Sequence, residues 1–316
     1  MRILVVSAHY PPNFVSGGSL QPQRLARALR SLGDDVSVYA GWLEGGRRPG
    51  ETWSEADETG LPVRWIGTAR AWTDWGDRRN VDNRVVTRDF RRHLREVGPD
   101  IVHFHSIQSF GGPLLGVARE AGARVVVTMH DFWWCCARQF LVTRDHRPCS
   151  LVVDAGVCPC HAGRPALERR NARLAGHRAQ ADLVLAPSAS AARVLEANGL
   201  GPVDVDENGV VAGSAVAGGR ARAASDGPVR FLYVGGSDPM KGAEVLVDAV
   251  DQLTAASPDG WQLTAYGLDP ATSAPGFPVD VRPSFDPSRA AEIYTAADVL
   301  VVPSVMRESF SLVTRA

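Results

Sequence analysis

The strongest constraint in this sequence is an order of elements that repeats along the chain. An apolar run is followed by a loop, an amphipathic stretch and another apolar run. Arg2 to Ser7 reads as a buried strand, Pro11 to Ser19 as a glycine-bearing loop, and Leu25, Ala28, Leu29 and Leu32 recur at helical spacing. Gly33 stops that helix, and Val36-Ser37-Val38-Tyr39 forms a second strand. The order returns with strands at Asp100 to Phe104 and Arg124 to Thr128 around a helical stretch from Pro113 to Ala121. Leu183 to Ser188 then precedes a helix from Ala189 to Asn198. Such alternation predicts an α/β fold with a doubly wound parallel sheet, whose ligands sit at the carboxyl ends of the strands.

The pattern lapses from Gly213 to Gly227, a Gly-, Ala-, Ser- and Arg-rich stretch that reads as a linker. A second series follows, with strands at Val229 to Val234, Gln262 to Tyr266, Val279 to Arg282 and Val299 to Val302, and a helix at about Ala243 to Leu253. The expectation is two Rossmann-like domains facing a cleft, over residues 1–202 and 203–316, the second read as incomplete because no closing elements follow Ala316. A length of 316 residues suits two domains, and 45% hydrophobic content supplies their cores. With 34 Lys and Arg against 35 Asp and Glu, the net charge of −1 gives no global attraction to nucleic acid. The opening apolar run, Ile3 to Val6, is too short for a signal peptide or a membrane span, which predicts a cytoplasmic protein.

Several strand ends carry chemistry. Gly17 and Gly18 close the loop after the first strand, where paired glycines let backbone amides approach a phosphate or sugar, or simply serve a tight left-handed turn. The loop is no GxGxxG fingerprint, which weakens a dinucleotide reading. His130 follows the strand ending at Thr128, with Asp131 after it, and should project towards a ligand; a structural histidine is the alternative. His103 and His105 share one face two residues apart and read mainly as hydrogen-bonded lining. In the second series, Gly235-Gly236-Ser237-Asp238-Pro239-Met240-Lys241 joins a strand to a helix and puts a cation where a diphosphate would sit, although a solvated lysine on an ordinary turn fits as well. Glu308, before Ser309 and Phe310, reads as a carboxylate for sugar hydroxyls ahead of the free amides of a starting helix, or as an ordinary helix cap.

Taken together and in this order, these segments resemble glycosyltransferase family 4 from Met1 to Arg315. The resemblance implies a retaining GT-B enzyme with the acceptor on the amino-terminal side and a nucleoside-diphosphate sugar, UDP- or GDP-linked, on the other. It puts Gly17 and Gly18 on the family's glycine loop near the donor phosphates and His130 on its cleft histidine. Asn208-Gly209-Val210 falls on the opening of its second domain, Lys241 on the diphosphate lysine and Glu308 on the first glutamate of an E-x7-E motif. His130, Lys241 and Glu308 are then the expected catalytic residues. Gly17, Gly18, Gly236, Lys241, Glu308, Ser309 and Phe310 are the expected donor contacts. Gly236 stands where the family usually has an arginine, and Ala316 where its second glutamate would be. The implied function is hexosyl transfer to a polysaccharide, lipid-linked or small-molecule acceptor; a non-catalytic truncated remnant or a sugar- or nucleotide-binding module is the alternative. A Rossmann oxidoreductase is disfavoured by the missing fingerprint.

All five cysteines fall between Cys135 and Cys160, in a segment of about residues 131–165 that resembles a cysteine-bearing insertion in a branch of the same family. Cys136, Cys149, Cys158 and Cys160 could close a tetrahedral structural zinc site, with Cys135 or His161 as substitutes; an iron–sulfur cluster and free buried thiols are the alternatives. Arg78 to Arg95 carries seven arginines that could touch anionic lipid, or form a solvated helix face among Asp82, Asp89 and Glu96.

Overall fold

A computed structural model describes residues 1–14, 16–43, 46–68, 78–160, 163–209, 227–270, 279–286 and 289–315. It divides into two compact units, Met1–Thr143 with Cys149–Gly209, and Arg144–Pro148 with Val210–Ala316. Most of the stretch read as a linker, residues 213–226, lies outside the described residues, as do Val210, His161 and Ala316.

The first unit is built on an eight-stranded sheet. Its strands are β1 (Arg2–Ser7), β2 (Asp35–Trp42), β3 (Thr52–Ala56), β4 (Pro62–Gly67), β5 (Ile101–Phe104), β6 (Arg124–Thr128), β7 (Leu183–Ala186) and β8 (Asp204–Val205). They lie in the order β3-β4-β2-β1-β5-β6-β7-β8, all parallel except β3, which pairs antiparallel with β4. Parallel strands bury both faces, which is why β1 reads as an unbroken apolar run. Alternate residues of β1 serve two cores. Ile3 and Val5 join Val38, Trp65, Tyr10 and Ala26 on one face, while Leu4 and Val6 join Phe90, Phe104, Leu114, Val127 and Leu174 on the other. The helices are α1 (Gly17–Ser31), α2 (Arg84–Val97), α3 (Pro113–Glu120), α4 (Arg164–Arg178) and α5 (Ala189–Ala197).

From β1 the chain moves outward through α1 to β2 and on to β4, then returns through α2 to β5 on the other side of β1. That reversal makes the carboxyl ends of β1 and β5 a topological switch point, the place where open α/β sheets take ligands.

The second unit has β9 (Val229–Val234), β10 (Trp261–Tyr266), β11 (Val279–Arg282) and β12 (Val299–Val301), with helices α6 (Ala243–Ala256) and α7 (Ala290–Thr295). Its parallel order is β11-β10-β9-β12, so it too has a switch point, between β9 and β12. Leu246 and Val250 of α6 pack on Tyr233, Leu263 and Ala265, and Ile293 of α7 packs on Leu232 and Tyr266 from the opposite face.

Three details differ from the sequence reading. The β3–β4 hairpin was not foreseen, although Val63, Trp65 and Ile66 are buried in it. The inward face of α1 matches the predicted Leu25, Ala28, Leu29 and Leu32 stripe only in part: Leu29 packs on the core and Leu25 is half-buried, but Ala28 is exposed and Leu32 is 80% exposed, whereas Ser19, Gln21, Gln23 and Ala26 are buried. The helix begins earlier than the apolar spacing suggests, so its first turns carry buried polar side chains. No helix follows Glu308 among the described residues, which run to Arg315 in turns, bends and irregular chain.

Candidate functional site

At the first switch point His9 follows β1, His105 follows β5, and His130 follows the neighbouring strand β6; His9 and His105 are both less than a tenth exposed. The imidazoles of His103, His105 and His130 form a stacked column. Ring centroids of His103 and His105 are 4.3 Å apart, and those of His105 and His130 are 5.2 Å apart at 13° to parallel. His105 Nδ1 lies 2.9 Å from His130 Nε2, and His103 Nε2 lies 2.8 Å from Thr128 Oγ1. The alternation predicted for His103 and His105 therefore holds, and it carries His130 with it.

Burial governs the charge of this column. Loss of hydration lowers the His130 and His103 pKa values to about 4 and pushes His105 well below its ordinary range, so the three rings are neutral at pH 7. They offer directed hydrogen bonds, not positive charge. Asp131, half-buried, is pushed up to about 6 by desolvation; its carboxylate accepts from the Trp133 amide at 2.8 Å and from Gln108 Nε2 at 2.8 Å. Gln108 Oε1 is buried with no hydrogen-bond partner. Gln108 is a site residue the sequence reading missed; its place three residues after His105, in a strand-end loop, was the available signal.

The amino end of α1 borders the column. Ser16 caps it: its hydroxyl accepts from the Ser19 amide at 3.2 Å, and the Ser19 hydroxyl accepts from the Ser16 amide at 2.7 Å. Gly17 and Gly18 are the first two residues of the helix, and neither has a positive φ, so the left-handed turn considered for them is excluded. A Cβ on Gly18 would stand 3.9 Å from His130 Cβ. The glycine thus keeps open the space between the helix amides and His130.

The loop after β6 is held from behind by α4. Arg170, 9% exposed, donates from Nη2 to the Trp133 carbonyl at 2.6 Å and places its guanidinium 5.3 Å from the Trp133 ring. Asn171 Nδ2 donates to the Cys135 carbonyl at 2.7 Å. Among the described residues no three His, Cys, Asp or Glu side chains share a centre that could hold a metal ion.

At the second switch point the loop after β9 meets the loop after β12. Lys241 Nζ donates to Glu308 Oε1 at 2.9 Å, and Ser304 Oγ donates to the same oxygen at 2.8 Å. The amides of Val305 and Met306 both donate to the Met240 carbonyl, at 3.1 and 3.2 Å. Two expected residues, 67 positions apart, are therefore in direct contact, with Ser304 as a third member that was not singled out. Close backbone approach makes this possible: Gly242 has φ +78°, and a Cβ there would lie 2.1 Å from the Pro303 carbonyl oxygen. Gly236 also requires a left-handed conformation, φ +71°, and its carbonyl accepts from Tyr233 Oη at 2.8 Å. Phe310 lies beneath the Arg315 guanidinium, 4.3 Å from its ring centroid. The expected donor contacts Gly236, Lys241 and Glu308 flank this switch point, and Ser309 follows Glu308 directly. Glu308 serves as partner to a lysine and a serine, not as the cap of a helix.

Two doubly wound units, each with polar strand-end loops at its switch point, define the GT-B class of glycosyltransferase. The chain belongs to Glycosyltransferase Family 4, whose model matches residues 15–212. No curated protein matches it at a significant level by sequence. Solved structures with the same fold include a sucrose-phosphate synthase from Thermosynechococcus elongatus, at 21% identity and a TM-score of 0.64 over 99% of this chain and 77% of that one. An α,α-trehalose-phosphate synthase (UDP-forming) from Burkholderia vietnamiensis aligns at 13% identity and a TM-score of 0.61, over 100% and 81% of the two chains. The lipopolysaccharide outer core galactosyltransferase WaaB aligns at 15% identity and 0.55, over 96% and 74%.

Proposed function

We propose that this protein transfers a hexosyl group, with retention, from a nucleoside-diphosphate sugar to a hydroxyl of a glycan, lipid-linked or small-molecule acceptor. The observation that carries the reading is the Lys241–Glu308–Ser304 cluster at the β9/β12 switch point. An ammonium has three donors, and Glu308 takes one, leaving others for the leaving diphosphate. Charge developing on that diphosphate is the main burden of the transition state, and a positioned cation relieves it. Glu308 keeps an oxygen for a sugar hydroxyl. His130, neutral and oriented by His105, suits a hydrogen bond to the transferred sugar, and the α1 amides beside Gly18 suit an anionic group. In a front-face reaction the departing phosphate takes the acceptor proton, so no side-chain base is needed.

UDP is the first nucleotide to test, since the Burkholderia relative is named as UDP-forming, and GDP the second. The exposed arginines Arg84, Arg88, Arg91 and Arg95 on α2 support peripheral contact with anionic lipid at the cytoplasmic face, which fits a lipid-linked acceptor. Incubating the protein with a panel of UDP- and GDP-hexoses carrying a labelled sugar, and following labelled product, tests the reading. Sugar released or transferred with α-configured product from an α-donor supports it. Donor binding without any turnover across the panel supports the alternative, a nucleotide-sugar-binding module.

A further inference from the structure

We propose that Asp131 binds a non-reacting hydroxyl or an amine of the acceptor, that Gln108 positions it, and that the acceptor end seated there is a neutral or amine-bearing sugar, not a phosphorylated one. The proposal rests on the transfer reaction above and names its acceptor class. Two side-chain bonds join the loop after β5 to the loop after β6. His105 Nδ1 meets His130 Nε2 at 2.9 Å, and Gln108 Nε2 donates to Asp131 Oδ2 at 2.8 Å. His130 and Asp131, adjacent in the chain, are thus both oriented by one loop.

The carboxylate has capacity to spare. Asp131 Oδ1 accepts from the Trp133 amide at 2.8 Å and Oδ2 from Gln108, which fills two of about four lone-pair positions on an ionised carboxyl. Solvent still reaches Asp131 in part. Among the described residues no lysine, arginine or histidine pairs with it; the buried Arg170 guanidinium turns instead to the Trp133 carbonyl and to Asn171 Oδ1. A carboxylate partly withdrawn from water without a paired cation is destabilising, and its pKa, pushed up to about 6, reflects that. Groups kept in this condition collect at functional sites.

Gln108 is placed to hold that carboxylate. The residue is 2% exposed, and Asp131 decides which end of its amide faces the carboxylate, because only Nε2 can donate. Oε1 is thereby left buried with no partner. The next residue, Ser109, is buried at φ 70°, a left-handed conformation uncommon outside glycine. Asn80 Oδ1 accepts from the Ser109 amide at 3.2 Å, and Asn83 Nδ2 donates to the Ser109 carbonyl at 2.8 Å. Strain that neighbouring contacts over-determine in this way collects at ligand sites, and here it sets Gln108 against Asp131.

A carboxylate that only accepts selects a ligand that donates. Sugar hydroxyls and a protonated sugar amine do so. A phosphate is repelled, and the neutral imidazoles of His105 and His130 supply no positive charge to offset that repulsion. The reacting hydroxyl stays free to give its proton to the departing phosphate.

Asp131→Asn removes the charge and keeps the shape. Turning the Gln108 amide over lets its carbonyl accept from the new Nδ2, so the variant should melt as the parent does. The test measures transfer of labelled hexose to a library of monosaccharides in neutral, amine-bearing and phosphorylated forms, with binding of each followed by ligand-observed NMR. The parent should use a neutral or amine-bearing member. Asp131→Asn should raise the KM of that acceptor by at least about fivefold, the difference between a charge-assisted and a neutral hydrogen bond, and narrow the discrimination against its phosphorylated form. Gln108→Leu should raise the same acceptor KM with the donor KM unchanged; a merely structural glutamine would alter both or neither. A phosphorylated acceptor preferred by the parent, an acceptor KM unmoved in folded Asp131→Asn, or no neutral or amine-bearing member bound would each overturn the proposal. Donor still hydrolysed in that last case leaves the transfer reaction standing, whereas donor neither bound nor hydrolysed removes the reaction and the proposal with it.

Discussion

His105 Nδ1 and His130 Nε2 lie 2.9 Å apart, so the two imidazoles share a single proton along one hydrogen bond. Because burial keeps both rings neutral, one nitrogen donates and the other accepts. The tautomer of His105 therefore sets which nitrogen of His130 carries a proton. If His105 Nδ1 donates, His130 Nε2 accepts and its Nδ1 holds the hydrogen. Replacing His105 should thus disturb His130 without touching any ligand.

The buried imidazoles predict acid sensitivity. Burial lowers the pKa values of His9, His103 and His130 to about 4 and pushes that of His105 well below the ordinary 6.5. The folded chain then takes up protons less readily than the unfolded one, so stability is lost as pH falls below 6.5 and continues to be lost down to about 4. Asp131 works in the opposite direction: its carboxyl, pushed up to about 6, gains relief from burial on protonation. Four histidines outweigh one carboxyl. The urea midpoint of the first unit, followed by tryptophan fluorescence, should be lower at pH 5 than at pH 7.5; an unchanged or higher midpoint would contradict the neutral column.

Gly18→Ala separates a ligand role from a structural one. The new methyl meets His130 Cβ only at 3.9 Å, an ordinary contact, and alanine favours helix over glycine by about 0.5–1 kcal/mol. Melting temperature should hold or rise while nucleotide-sugar affinity falls. A fall in both would make the glycine structural.

Gly242→Ala should damage the second unit. Its Cβ would collide with the Pro303 carbonyl oxygen at 2.1 Å, and the φ of +78° is unfavourable for any side chain. The loops that join Lys241 to Glu308 must then part, at a cost of at least about 1–3 kcal/mol. Differential scanning calorimetry should show the loss in one transition and leave the other in place.

Arg170→Met removes a buried guanidinium that satisfies the Trp133 carbonyl. The aliphatic replacement keeps volume but leaves that acceptor unpaired, which costs about 1–3 kcal/mol. Hydrogen exchange should quicken across residues 131–136 while β1 and β5 keep their protection.

β1, β2, β5, β6 and β7 were legible as apolar runs, the parallel strands β4 and β8 were not, and the second unit's four strands appear where alternation put them. Lys241 and Glu308 were legible as strand-end polar residues; their pairing was not, since it depends on the Gly242–Pro303 approach between distant loops. The β3–β4 hairpin escaped because Trp53 and Trp65 stack across strands in a segment broken by charged and turn residues, Asp57, Glu58 and Gly60. The buried face of α1 escaped for a different reason. Periodicity finds apolar faces, and the first turns of this helix bury Ser19, Gln21 and Gln23 beside Pro22 and Ala26. Polar side chains buried at a switch point leave no hydrophobic signal.

The central claim is that the β9/β12 switch point holds a nucleoside diphosphate through Lys241. Lys241 and Glu308 are 35% and 24% exposed, so their pairing contributes only about 0–1 kcal/mol to folding and Lys241→Ala should melt as the parent does. Isothermal titration with UDP and with GDP, on the parent and on Lys241→Ala, measures the claim directly. The account predicts saturable binding of one of the two nucleotides and a loss of at least about tenfold, some 1.4 kcal/mol, in the variant. Equal affinity in parent and variant, with both folded, would contradict it.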